Sequence, residues 1–117
     1  LSSAFKRLNI RLTERRCQVT QEVYKLWQMR FTNAWYQLSE EEQEQLGAKI
    51  AASLEEVGGE IVVSCTSAWA DEKWLGFGVE KYPSLEAAQQ HTQNLWEMGW
   101  YRYIQSTSTL GVEFQPE

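Results

Sequence analysis

Residues 61–84 read IVVSCTSAWADEKWLGFGVEKYPS. Two runs rich in β-branched and aromatic residues, Ile61–Trp69 and Trp74–Tyr82, flank the polar Ala70-Asp71-Glu72-Lys73, so they read as two strands joined by a turn or short loop. Pro83 lacks a backbone donor and ends the second run. Ser84 can then cap a helix whose inner stripe would be Leu85, Ala88, Thr92, Leu95 and Gly99. Two adjacent strands followed by a helix form the centre of this chain's pattern, and the flanks complete it.

Upstream, Ser39-Glu40-Glu41-Glu42 fits a capping box, in which the Ser39 hydroxyl accepts from the Glu42 backbone and the Glu42 carboxylate reaches back. Three carboxylates in a first helical turn also suit the positive end of the helix dipole, so they do not read as a metal or acid/base site. Leu46, Ile50, Leu54 and Val57 continue on one stripe, and Gly58-Gly59 supplies the stop. Earlier still, Val23–Phe31 (VYKLWQMRF) alternates as a strand, with Trp27, Met29 and Phe31 on one face and Gln28 and Arg30 on the other. After Gly99, Trp100–Leu110 (WYRYIQSTSTL) alternates as a fourth strand. The order β, α, β, β, α, β predicts a ferredoxin-like α+β fold, a four-stranded antiparallel sheet with two helices on one face.

Such a fold leaves the second sheet face open. In the third strand Leu75, Phe77 and Val79 are expected on one face and Trp74, Gly76, Gly78 and Glu80 on the other. The two glycines leave room for a bulge, a large neighbour or a ligand. The open face is expected to carry Gln28, Arg30, Ser64, Thr66, Trp74 and Glu80, with some of Tyr101, Tyr103, Gln105 and Thr107. Alternation alone supports that assignment, and one bulge would invert part of it. A face with Trp and Tyr is too apolar to stay wet, so it is expected to meet a ligand, a second subunit or both.

The chain has 117 residues, enough for one domain, and 43% hydrophobic against 23% charged residues allows a packed core without staples. A net charge of −5 argues against a general nucleic-acid binder, and no apolar run is long enough for a membrane span. Residues 1–22 carry five basic side chains (Lys6, Arg7, Arg11, Arg15 and Arg16) against Glu14 and Glu22, a net +3, which leaves −8 for residues 23–117. Residues 1–22 therefore read as a basic extension and 23–117 as the domain. Within the extension Leu1, Ala4, Phe5, Leu8 and Leu12 recur at helical spacing. That pattern suits a transit peptide, a helix packed on a partner subunit, or upstream sequence without a role. Two cysteines, Cys17 and Cys65, with no CxxC, point to free thiols in a reducing compartment and a cytoplasmic location.

Trp35-Tyr36-Gln37-Leu38-Ser39-Glu40-Glu41-Glu42 resembles the Trp-x-x-Leu-Ser/Pro-x-Glu-Glu stretch of darcynin-like families of the dimeric α/β-barrel superfamily. Trp100-Tyr101-Arg102-Tyr103 resembles their aromatic-x-Arg-Tyr pattern. The resemblance covers residues 23–110, with no counterpart to 1–22. It implies two ferredoxin-like subunits packed sheet to sheet around a cavity. Functions in that superfamily range over cofactor-free oxygenation of polycyclic aromatics, lactone isomerisation, haem chemistry and simple ligand binding, and fold alone does not choose among them.

The residues exclude more chemistry than they select. His91 and Asp71 are the chain's only histidine and aspartate and no GxSxG is present, which disfavours a Ser-His-Asp site. No ligand pair has metal spacing. Gly76-Phe77-Gly78 fails the dinucleotide fingerprint because Lys81 stands where the third glycine belongs. No metal or cofactor is expected. His91 reads as a half-exposed, hydrogen-bonded boundary residue, or else as a general base or haem ligand at a barrel mouth. Arg30 and Glu80 either pair across the sheet or flank a polar ligand group. These three are the catalytic candidates, and Gln28, Arg30, Trp74, Glu80, Tyr101, Tyr103 and Gln105 are the ligand-binding candidates. The expectation is a homodimer, joined through the open sheet face, that binds a small, largely apolar molecule between its sheets. Cofactor-free oxygenase- or isomerase-type chemistry on that molecule is left open. The rival is an assembly protein whose aromatic sheet face serves only dimerisation.

Overall fold

A computed structural model describes residues 21–115. β1 (Val23–Phe31) lies inside a four-stranded sheet between β3 (Gly76–Tyr82) and β4 (Ile104–Gly111), and β2 (Glu60–Thr66) forms the edge beyond β3. All three pairings are antiparallel, and the order β2-β3-β1-β4 is the ferredoxin-like one expected. The assignment of residues 1–22 as an extension falls almost wholly outside the described residues. Its last member, Glu22, forms an ion pair with Lys81 of β3 at 3.2 Å.

Local chemistry sets the helices where the sequence marks them. A five-residue α1 (Asn33–Gln37) follows β1, and its Trp35 stacks on Phe31 with centroids 4.2 Å apart. α2 (Glu40–Glu56) begins in the complete capping box: Ser39 Oγ accepts from Glu42 N, and Ser39 N donates to Glu42 Oε1. The bond from the Ser39 backbone holds the Glu42 carboxyl below its ordinary range. Gly58 takes φ +79°, which lets the chain turn out of α2. Ser84 Oγ accepts from Ala87 N to open α3 (Leu85–Glu97), and Gly99, at φ +74°, closes the turn that follows it. Ser39→Ala removes one acceptor and is expected to cost about 1 kcal/mol in chemical denaturation.

α2 and α3 cover one sheet face. Leu54, Tyr82 and Ala88 form the buried cluster, joined by Val57 and Ala87. The buried stripe of α3 is Ala88, His91 and Leu95. Leu85, expected on it, is exposed, and the Thr92 hydroxyl turns back to the Ala88 carbonyl.

The strand faces differ from the expectation in three places. β3 is inverted: its register sets Phe77 beside Gln28 and Val79 beside Leu26 on the open face, with Gly76, Gly78 and Glu80 toward the helices. The space over Gly78 belongs to a large neighbour, because a Cβ there would lie 2.5 Å from Trp27 Cζ2. In β2 a register shift between Ile61 and Val63 moves Ser64 and Thr66 to the helix side and Val63 and Cys65 to the open side. Trp100–Arg102 form a 3₁₀ turn rather than the start of β4, so Tyr101 and Tyr103 precede the strand. Strand β2 also stops at Thr66. Residues 67–75 form a loop in which Asp71 Oδ1 accepts from the backbones of Lys73 and Trp74, bonds that hold its carboxyl below the ordinary range.

Candidate functional site

Between the sheet and its helices lies a cavity of about 140 Å³. β1 contributes Lys25, Trp27 and Met29, β3 Glu80, and β4 Ile104, Ser106 and Ser108; Ile50, His91, Leu95 and Trp100 close it. These strand residues share a face by register, since Lys25 opposes Glu80 and Trp27 opposes Gly78 and Ser108.

His91 is the deepest polar group, 1% exposed rather than half exposed as expected. It sits at the centre of the α3 stripe, where the helix meets α2 and Tyr82. Ser53 Oγ lies 2.8 Å from His91 Nδ1 and accepts from Asn94 Nδ2 at 3.0 Å. A hydroxyl both donates and accepts, so Ser53 can give its proton to Nδ1 or take a hydrogen bond from it. Nε2 has no hydrogen-bond partner among the described residues. His91 therefore offers Nε2 as a donor or an acceptor according to its tautomer.

Burial pushes the His91 imidazole below its ordinary range; nearby Glu80 opposes this, and Lys25 reinforces it. Tyr82, also 1% exposed, donates to Glu80 Oε1 at 2.5 Å, and burial raises its phenol well above the ordinary range. The imidazole that is harder to protonate when folded has a consequence for stability. Below about pH 6.5 the unfolded chain takes up a proton that folded His91 refuses, so the stability is complete above that pH. It falls as the pH drops toward the folded value, by at most about 1.4 kcal/mol per pH unit. Urea midpoints from pH 7 to 5 are expected to decline for the native sequence and to run flatter for His91→Gln.

Trp27 supplies an unmet donor. Its indole Nε1 is buried with no hydrogen-bond partner, a state that costs about 1–3 kcal/mol unless something accepts from it.

Several expected site residues are elsewhere. Arg30 and Gln105 do meet on the open face, where Arg30 Nε donates to Gln105 Oε1 at 2.6 Å, with Gln28 on the same side. Glu80 faces the helices instead, so an Arg30–Glu80 pair is not formed; the reason is the inverted β3. Trp74 sits in the loop before β3 with the Lys73 ammonium 5.1 Å from its ring. Tyr101 stacks on Trp96 at 4.3 Å, and the Tyr103 backbone N–H closes the 3₁₀ turn onto the Trp100 carbonyl. Of the expected residues, Glu80 and His91 come together in the cavity. Lys25, Trp27, Ser53 and Asn94 were missed. One signal for Lys25 is visible in the sequence: a lysine in phase with Val23, Trp27 and Met29 on the apolar face of β1.

A volume near 140 Å³ suits a single ring and not a haem macrocycle, so His91 does not fit as a haem ligand. Among the described residues no group of three His, Cys, Asp or Glu could hold a metal ion.

No family model and no curated protein matches the chain. Solved structures do resemble it. The RPA0582 protein of unknown function from Rhodopseudomonas palustris is 17% identical, with TM-score 0.61 over 92% of this chain and 94% of that one. A variant chlorite dismutase from Candidatus Nitrospira defluvii is 14% identical, with TM-score 0.67 over 90% of this chain and 45% of that one. At these identities the likeness is one of fold, the ferredoxin-like α+β arrangement already described.

Proposed function

We propose that two copies of the chain pair through their open sheet faces, as in the dimeric α/β-barrel families it resembles. Each copy holds a small, largely apolar molecule between its own sheet and helices. The observation that carries the ligand reading is the buried, partnerless Trp27 indole N–H in the wall of a cavity that His91 and Glu80 also line. A ligand acceptor there recovers a hydrogen bond that the protein alone leaves unmade. This location replaces the one between two sheets. Pairing draws support from Leu26, Val63 and Phe77, exposed apolar side chains that the register puts on one face. Gln28, Arg30 and Gln105 then belong to the interface. Glu80, whose second oxygen has no partner among the described residues, is the group able to take a proton from the ligand.

Native mass spectrometry of protein purified from its own cells tests both halves. The expected species is two chains with a small-molecule adduct. A bare monomer overturns both halves. A bare dimer that takes up neither phenylpropionate nor phenylpropionamide overturns the ligand half.

A further inference from the structure

The chemical class of the ligand follows from an imbalance in the cavity's polar groups. This inference rests on the ligand reading above. Lys25 is half-buried and has neither an ion pair nor a hydrogen bond among the described residues. Its register partner Glu80 does not neutralise it, because Glu80 is engaged by Tyr82 and no Lys25–Glu80 ion pair forms. Beside the cavity a wider groove of about 320 Å³ opens between β4 and α3. Cavity and groove share Lys25, Leu95, Trp100, Ser106 and Ser108, but Glu80 and His91 line only the cavity. Neither the half-buried Ser106 hydroxyl nor the exposed Ser108 hydroxyl has a partner among the described residues. Trp96 and Leu110 extend the apolar wall toward solvent.

Lys25 and the two serines therefore place one cation and two hydroxyl donors at the junction of groove and cavity. The buried indole N–H adds a donor further in. Lys25 and the indole can only donate, and against one free carboxylate oxygen they call for a ligand that brings acceptors and negative charge. The apolar remainder, with Met29, Ile50, Leu95, Ile104 and two tryptophans, calls for a ring or short aliphatic body.

We propose that this site takes a small carboxylic acid as its anion, with the carboxylate at Lys25, Ser106 and Ser108 and the apolar body in the sheet–helix cavity. A carboxylate there gains charge-assisted hydrogen bonds that the matching amide does not.

The test is a fluorescence titration with phenylpropionate and phenylpropionamide, which differ only at the polar end. The native sequence is expected to bind the acid at least tenfold more tightly than the amide. Lys25→Met is expected to erase that difference, and Lys25→Arg to keep it. Equal binding of acid and amide by the native protein overturns the carboxylate assignment and leaves the cavity reading standing. Binding of neither overturns the cavity reading itself, and this assignment with it. A preference that survives in Lys25→Met overturns the role of Lys25; if that variant does not fold, the native acid–amide comparison decides alone.

Discussion

Gly78→Val is expected to destabilise the domain by about 3 kcal/mol, the upper part of the range for overpacking a close-packed site. A Cβ at this position would lie 2.5 Å from Trp27 Cζ2 and 2.6 Å from the Val63 carbonyl oxygen. The carbonyl is fixed in the β2–β3 ladder, so the added carbon cannot be accommodated by a shift of the Trp27 ring alone. For a domain of this size the melting temperature should fall by very roughly 12–24 °C. Thermal melts followed by circular dichroism check it, and near-ultraviolet spectra should show a changed Trp27 environment. Gly47→Ala is the control. It lies within α2 with nothing within 4 Å of the added carbon, and it is expected to stabilise by about 0.5–1 kcal/mol. A Gly78→Val variant as stable as the parent contradicts the packing of Trp27 over β3.

The second large effect concerns the open face. Phe77 lies there beside Gln28 and Cys65, 39% exposed in the single chain. In the proposed sheet-to-sheet dimer, Phe77→Glu would bury an unpaired carboxylate at the interface. The dissociation constant of that proposed dimer is expected to rise at least 100-fold, on the order of 2.7 kcal/mol, so sedimentation velocity at micromolar concentration should report one chain where the native sequence reports two. Trp69→Glu, in the 67–75 loop and 85% exposed, should leave the native mass unchanged. An unaltered dimer in Phe77→Glu, with its melting curve intact, means that the subunits meet elsewhere.

What the sequence discloses here follows the range of the interactions involved. The capping box at Ser39, the stop at Gly58 and the Pro83-Ser84 junction are satisfied by atoms within four residues, so their residue types are sufficient evidence. β1 has the bounds its alternation predicts, Val23–Phe31. The inverted face of β3 was not legible, because Phe77 and Val79 are as apolar as core residues and only the partner strand decides which side they take. Gly76 and Gly78 left a bulge, a large neighbour and a ligand open, and only the β1–β3 register shows that the neighbour of Gly78 is Trp27. The aromatic run at Trp100 alternates like a strand, yet the left-handed Gly99 feeds it into a 3₁₀ turn that bonds back on itself. His91 looked like a boundary residue because its partner, Ser53, lies 38 positions away on the other helix.

The ligand site has the same character. Its polar groups belong to residues that look ordinary in the chain, Lys25, Trp27, Ser106 and Ser108, and become informative once β1 and β4 are adjacent. The most direct measurement of the central claim is therefore the Trp27 indole N–H itself. In ¹⁵N-labelled protein its cross-peak can be assigned by its loss in Trp27→Phe. On saturation with phenylpropionate it should shift and exchange more slowly with water, while the Trp69 peak stays in place. A Trp27 peak that does not respond while the acid binds, or while no peak responds at any concentration, contradicts a ligand between the sheet and its helices.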